Sequence, residues 1–199
     1  GVPGRPAGVV VMATVLLVAG THGRHDAWWR AGSPFVRALE ARGHRLAAPE
    51  QPFSWATGLD GLVGANDEWE AAGEYLRLWL DKHPVDVVVA HSHGGLVCLY
   101  AAAAGATIPR LVTVGTPVRA DLRTTREYAS RRITGFWAHL YGGLDGWQLL
   151  GELGDGGGPF RWARRMPEAH LNVWGGWTRH GALLDPDRWT ARGWWGWLG

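Results

Sequence analysis

Ser92 is the residue of this sequence best placed to act as a nucleophile. It lies in the segment Ala90-His91-Ser92-His93-Gly94-Gly95, after the apolar run Val-Asp-Val-Val-Val and before Gly-Leu-Val-Cys-Leu-Tyr. A nucleophilic serine needs an exposed hydroxyl, a neighbouring base and hydrogen-bond donors for the developing oxyanion. A sharp turn between a strand and a helix exposes the hydroxyl, and its crowded backbone requires small residues two positions away on each side. Ala90 and Gly94 meet that requirement.

The elements that would position this serine follow from the pattern of apolar residues. Apolar runs alternate with helical stretches, as expected for a parallel sheet covered on both faces. The predicted fold class is therefore α/β, with a mostly parallel central sheet of about six strands flanked by helices. The predicted strands are 9–18, 45–48, 85–90, 110–114, 134–141 and 170–174, and the predicted helices are 33–42, 66–83, 95–104, 119–132 and 187–192.

Composition and charge narrow the possible classes of function. Lys and Arg number 20 against 18 Asp and Glu, a formal net charge of +2, and no long basic run occurs. We therefore expect no nucleic-acid partner. The 199 residues fit one domain, in which residues 1–8 would be a flexible or vector-derived N-terminus. The single cysteine, Cys98, excludes an intrachain disulfide and a cysteine-based metal site, so we expect a buried thiol.

The segment around Ser92 resembles the nucleophile turn of the α/β-hydrolase superfamily, on its lipase and esterase side. Alanine at position 90 departs from the commoner glycine, a change also found in small bacterial lipases. Gly115-Thr116-Pro117 resembles a Gly-Thr-Pro that many lipases carry after the strand that follows the nucleophile. The resemblance covers 9–185 and implies an α/β-hydrolase fold with a minimal cap. It also implies acyl transfer to serine followed by hydrolysis, with no metal and no organic cofactor.

The superfamily's chain order of nucleophile, acid and histidine indicates partners for Ser92. Asp145 follows the predicted strand 134–141 and is the preferred acid, which would orient the histidine ring and stabilise its protonated form. Asp121, after the preceding strand, is the main alternative, and Asp155 is a weaker one. A turn aspartate without a catalytic role is the remaining interpretation of Asp145.

His180 is the predicted general base, because it follows the last predicted strand in the segment Trp177-Thr178-Arg179-His180-Gly181. It would take the proton from Ser92 and return it to the leaving group. His139 and His170 lie within or at the start of strands, where packing roles are expected. The side chains of His91 and His93 are expected to turn away from the nucleophile.

Two main-chain N–H groups are expected to form an oxyanion hole. One belongs to His93, the residue after the nucleophile. The other would come from Gly23 or, with a slight preference, Arg24. These two lie in Gly20-Thr21-His22-Gly23-Arg24, which resembles the superfamily's His-Gly segment after the first strand. A tight turn without catalytic function is the alternative interpretation.

The 14 tryptophans offer apolar surfaces for a substrate or a core. Trp28 and Trp147 are predicted to bind the apolar part of a small-molecule or lipid ester, with core packing as the alternative. The Trp-rich tail 194–198 is expected to bury itself on the domain, and contact with a lipid surface is the alternative. A cytoplasmic location is favoured slightly over secretion.

The sequence leaves the acyl chain length and the leaving group open. It also leaves two other functions open. An amidase or thioesterase would use the same serine, histidine and acid, because a fold does not fix a function. A non-catalytic relative that binds a ligand is the other, and the ordered Ser92, Asp145 and His180 argue against it.

Overall fold

A parallel sheet forms the centre of the protein. The structure, a computed structural model, describes residues 12–20, 27–47, 66–119, 121–143 and 165–199. The strands are β1 Thr14–Val18, β2 Arg45–Leu46, β3 Val87–His91, β4 Ile108–Val114, β5 Ile133–Tyr141 and β6 Leu171–Trp174. They form one sheet in the order β2-β1-β3-β4-β5-β6, and every neighbouring pair is parallel.

Helices connect and cover these strands. They are α1 Pro34–Glu40, α2 Asn66–Lys82, α3 Gly94–Ala103, α4 Arg123–Ser130 and α5 Pro186–Ala191, with 3-10 turns at His180–Leu184 and Trp194–Trp197. Local chemistry sets the start of α1, where the Ser33 hydroxyl accepts the Val36 N–H at 3.1 Å and a proline opens the helix. The same device starts α5, where the Asp185 carboxylate accepts the Asp187 N–H at 3.0 Å.

The sheet is buried on both faces. In β1, Leu16 and Val18 belong to one apolar core, together with side chains of α2, α3 and α4. The alternate residues Val15 and Leu17 belong to a second core, together with side chains of α1 and α5. Successive side chains of a strand point to opposite faces, so a strand covered on both sides must be apolar throughout.

Helix α3 lies in the first core and approaches α2 closely. A Cβ added at Gly73 of α2 would lie 2.5 Å from the Cβ of Tyr100, so the two helices meet where one has no side chain. Cys98 on α3 is fully buried, and burial raises the pKa of its thiol. The expected buried thiol is confirmed.

The C-terminal tryptophans pack into the second core. Trp189, Trp194 and Trp195 are 0%, 4% and 8% exposed. The Trp195 ring lies 5.1 Å from the Phe35 ring, and the Arg42 guanidinium lies 4.5 Å from the Trp195 ring centroid. The expected burial of the tail on the domain is confirmed. Contact of this tail with a lipid surface stays a prediction.

The predicted six-stranded α/β architecture is confirmed, with shifts at several boundaries. The strand predicted from 110 begins at Ile108, and the helix predicted over 119–132 is limited to α4. The segment predicted as strand 45–48 pairs with β1 through only two residues. Residues 1–8 fall outside the described residues, and the minimal cap stays a prediction. Within the described ranges no helix is long and apolar enough to cross a membrane.

Candidate active site

Ser92 lies in the turn between β3 and α3, at the carboxyl edge of the sheet. Its φ is 55°, and it is the one non-glycine residue with a left-handed φ among the described residues. Such a backbone costs about 1–3 kcal/mol and persists only where its surroundings impose it. The Ser92 N–H donates to the Val114 carbonyl at 2.8 Å, and the Gly95 N–H donates to the Ser92 carbonyl at 3.0 Å. These bonds hold the strained turn that presents the hydroxyl.

Three glycines make room for this turn. A Cβ added at Gly20 would lie 2.6 Å from the Ser92 Cβ, and one at Gly94 would lie 2.4 Å from the Ala19 carbonyl oxygen. A Cβ at Gly95 would lie 2.0 Å from the Thr116 hydroxyl oxygen, so Gly95 packs directly against the Gly-Thr-Pro segment. The sequence indicated the need for a small residue at 94. Sequence reasoning missed Gly20 and Gly95, whose requirement arises only from contacts between elements.

His180, the predicted base, lies at this turn. It begins the 3-10 turn after β6, and its ring centroid is 4.4 Å from that of His91. Its charge also lowers the pKa of both His91 and His93, so it lies close to both neighbours of Ser92. The His91 ring packs against His180, and the expectation that the His91 side chain turns away from Ser92 stays a prediction.

The two histidines beside Ser92 are buried and neutral. Burial is the largest cause that lowers the pKa of His91 well below its usual value, followed by the charge of His180. Burial, then His180 and then Arg119, lowers the pKa of His93 to about 3. Removing a cation from water favours the uncharged form. Both rings are therefore uncharged at neutral pH.

The His93 ring contacts α2 through Trp69. It stacks on the Trp69 ring with centroids 4.8 Å apart and planes 21° apart. The Arg119 guanidinium lies 5.2 Å from the centroid of the same indole. Asp121, the alternative acid, accepts two hydrogen bonds from Arg119, at 3.1 Å from Nε and 2.8 Å from Nη2. Sequence reasoning identified neither Trp69 nor Arg119 as a residue of the site.

Comparisons with known proteins bear on the fold. No protein-family model and no curated protein matches the chain. The Pyrococcus furiosus esterase Pf2001 superposes with a TM-score of 0.51 at 14% identity, over 94% of this chain and 82% of that one. A second crystal form of it gives 0.50 at 15% identity, over 94% and 83%. The esterase domain of a Rhodothermus marinus protein gives 0.48 at 14% identity, over 96% and 88%.

The chain has the α/β-hydrolase fold. In an α/β-hydrolase sheet the residues that do chemistry follow the carboxyl ends of the strands. Here β3 leads to Ser92 and β6 leads to the turn of His180. β5 ends at Tyr141 and leads toward Asp145, which lies outside the described residues, as does Asp155.

The α/β-hydrolase sheet ties the chain before Asp145 to the chain before His180. The Gly175 N–H donates to the Tyr141 carbonyl at 2.7 Å, and the Gly143 N–H donates to the Gly176 carbonyl at 3.0 Å. The two segments therefore leave the sheet side by side. The role of Asp145 stays a prediction.

The other predicted site residues divide into two groups. Gly23, Arg24 and Trp147 lie outside the described residues. Trp28 is 8% exposed and packs edge-on against Phe35 at 5.3 Å and His91 at 6.0 Å between ring centroids. It forms a wall behind His91, and its contact with a substrate stays a prediction.

Of the two strand histidines, His139 has the expected packing role, and His170 is an exposed residue that binds the main chain. His139 is fully buried, with its Nδ1 2.9 Å from the Thr113 hydroxyl oxygen. His170 Nδ1 accepts the Trp137 main-chain N–H at 2.9 Å. In the described part of the chain, no group of three or more His, Cys, Asp or Glu side chains could hold a metal ion.

Proposed function

We propose that this chain is a serine esterase or lipase that hydrolyses carboxylic esters through an acyl-enzyme on Ser92. The observation that carries the proposal is the left-handed Ser92 between β3 and α3, beside the ring pair of His91 and His180. A strained serine at the edge of a parallel sheet is the arrangement that presents a nucleophile. The Pyrococcus furiosus protein that shares the fold is an esterase, which supports the same reaction class.

The proposed reaction has two halves. Ser92 Oγ attacks the ester carbonyl carbon while His180 takes the hydroxyl proton, and a tetrahedral oxyanion forms. The C–O bond to the alcohol then breaks, and His180 returns the proton to the departing alcohol oxygen. Water, deprotonated by His180, attacks the acyl carbon. The bond from that carbon to Ser92 Oγ then breaks as His180 returns the proton to Oγ, which releases the acid and restores the serine. Asp145 would orient the His180 ring and stabilise its cationic form.

The oxyanion would lie at the N-terminal end of α3. The His93 main-chain N–H stands directly before that helix and would be one donor, and Gly23 or Arg24 would supply the other. The positive end of a helix macrodipole favours a negative charge at this position. Donors fixed before the reaction stabilise an oxyanion without reorganisation, which is a large part of catalysis.

The two histidine rings near His180 are uncharged in this scheme. His91 and His93 have pKa values lowered mainly by burial, so the cation that forms on His180 meets no imidazolium beside it. A second cation in the same apolar surroundings would oppose proton transfer. The expected substrate is a small-molecule or lipid ester whose apolar part reaches Trp28 and Trp147.

Turnover of an aryl ester tests the proposal. The wild type should hydrolyse the ester and be labelled by a fluorophosphonate, and Ser92→Ala should lose both. Ser130→Ala is the matched control, since this serine lies at the end of α4, where its hydroxyl donates to the Glu127 carbonyl at 2.9 Å. Turnover only of amides or thioesters would indicate the alternative hydrolase, and a wild type that neither turns over nor labels would indicate a binding protein.

A separate experiment tests whether Asp145 or Asp121 is the acid that orients His180. Asp145→Asn should lower kcat by several orders of magnitude, about 10⁴-fold where an acid fixes the histidine tautomer. Asp121→Asn should lower it far less, because the Asp121 carboxylate is bound to Arg119. Full activity in Asp145→Asn with a large loss in Asp121→Asn would show that Asp121, and not Asp145, is the acid.

A further inference from the structure

The His93 side chain is held by a stack that the reaction scheme does not use. His93 is 9% exposed and Trp69 is 1% exposed, so neither ring can leave the other without opening the core. Their ring centroids lie 4.8 Å apart with planes 21° apart. Trp69 itself belongs to the core formed by α2, α3 and the sheet. The stack therefore connects the residue after the nucleophile to a rigid part of the protein.

Arg119 adds a charged member to this stack. Its side chain is 10% exposed, and its guanidinium carbon lies 5.2 Å from the Trp69 ring centroid, within the range of a cation–π contact. The two hydrogen bonds from Arg119 to Asp121 fix the plane of the guanidinium. The Arg119 carbonyl accepts a hydrogen bond from Arg126, which also pairs with Glu168 at 3.0 Å. Arg119 is thus held at both its main chain and its side chain.

The stack restrains the main chain at His93. On its C-terminal side, Gly94 packs against the main chain at the end of β1, where a Cβ would lie 2.6 Å from the Val18 carbonyl oxygen and 2.4 Å from that of Ala19. On its N-terminal side stands the left-handed Ser92. The His93 ring is the side chain attached between these two contacts, so holding the ring limits rotation of the peptide. An oxyanion donor has to be aimed to within a few tenths of an ångström.

We propose that Trp69 and Arg119 are positioning residues that hold the His93 ring, and through it aim the His93 main-chain N–H at the oxyanion. The inference rests on the proposed ester hydrolysis at Ser92. Their loss should act on the transition state, in which the oxyanion forms, and not on binding of the neutral ester. Asp121 supports the stack by orienting Arg119.

Two pairs of variants test the proposal. Trp69→Leu removes the stacking face and should lower kcat about tenfold to hundredfold, with KM within about threefold of the wild type. Trp69→Phe keeps an aromatic face and should restore most of kcat. Arg119→Gln should lower kcat about tenfold, and Arg119→Lys, which keeps the cation, should lower it less. Trp79→Leu, on the same helix but at the exposed His83, is the matched control.

The outcomes separate this inference from the proposed function. Each kcat is expressed per folded molecule, measured by near-ultraviolet circular dichroism. If Trp69→Leu does not fold, the two Arg119 variants decide. Turnover that depends on Ser92 but is unchanged in Arg119→Gln, or a loss confined to KM, overturns the positioning role alone. A wild type without ester turnover overturns the proposed function and this inference with it.

Discussion

Helix α2 carries two tryptophan–histidine stacks with nearly the same ring geometry and different surroundings. Trp69 and His93 lie 4.8 Å apart with planes at 21°, and Trp79 and His83 lie 4.5 Å apart with planes at 18°. The first stack is buried beside Ser92, whereas His83 is exposed at the end of the helix. His83, the residue after α2, also bonds the Trp79 carbonyl through Nδ1 at 2.9 Å.

The comparison separates ring geometry from environment. Burial, together with the charges of His180 and Arg119, lowers the pKa of His93 to about 3. In the exposed stack, solvent surrounds the histidine, which bonds a carbonyl in the last turn of the helix. Stacking alone therefore says little about function, and the neighbours of a ring say more. The predictions below contrast the surroundings of the two stacks, beginning with the largest expected effect.

Replacing His180, whose charge acts on His93 of the buried stack, should have the largest effect. His180→Ala removes the proposed base and should lower kcat/KM about 10⁴-fold, whereas His83→Ala should leave it unchanged. Steady-state hydrolysis of an aryl ester measures both variants. Retention of more than about a tenth of wild-type kcat/KM in His180→Ala would assign the proton transfer to another group.

The two tryptophans should differ in their contribution to stability. Trp69→Ala empties a site that is 1% exposed and should lower the free energy of unfolding by about 3–5 kcal/mol. Trp79→Ala, at a half-buried position, should cost about 1 kcal/mol. Urea unfolding of the two variants checks the difference. Equal losses would show that both rings are packed to the same extent.

The buried histidine should make stability depend on pH. The folded-state pKa of His93, about 3, lies below its ordinary value of 6.5, so the unfolded chain binds the proton more readily. Stability from this group is present above about pH 6.5 and is lost as pH falls toward 3. The His93 share of the loss between about pH 7.5 and about pH 5 should be about 2 kcal/mol. His93→Phe should remove that share and leave the part contributed by His91 and His44, whose pKa values burial also lowers.

Urea unfolding at both pH values measures this dependence. His83→Phe is the control, because it replaces a ring that is stacked in the same way at an exposed position. If His93→Phe keeps the full wild-type dependence on pH, the assignment of that dependence to His93 is wrong.

The parts of the site that sequence reasoning predicted are those with local signals. The turn at Ser92 is specified by an apolar strand, small residues and a helix that are contiguous in the chain. His180 followed from the order of elements, and the structure brings its ring to within 4.4 Å of His91. The alternation of apolar runs was sufficient to predict a six-stranded parallel sheet, since strands buried on both faces must be apolar.

The parts that were missed depend on contacts between distant segments. Nothing near Trp69 in the chain distinguishes it from the other tryptophans, and its partners His93 and Arg119 come from separate loops. Gly20 and Gly95 are required by atoms of Ser92 and Thr116, which only the folded sheet brings near. The direction of the His91 ring is likewise set by packing on Trp28 and His180.

Trapping the acyl-enzyme tests the central claim most directly. The wild type is mixed with an activated aryl ester, quenched in acid within milliseconds to seconds, and measured by intact mass and peptide mapping. We predict one acyl adduct, on the peptide that contains Ser92, absent from Ser92→Ala and present in Ser130→Ala. Ester turnover with no adduct, or an adduct on another residue, would contradict covalent catalysis by Ser92.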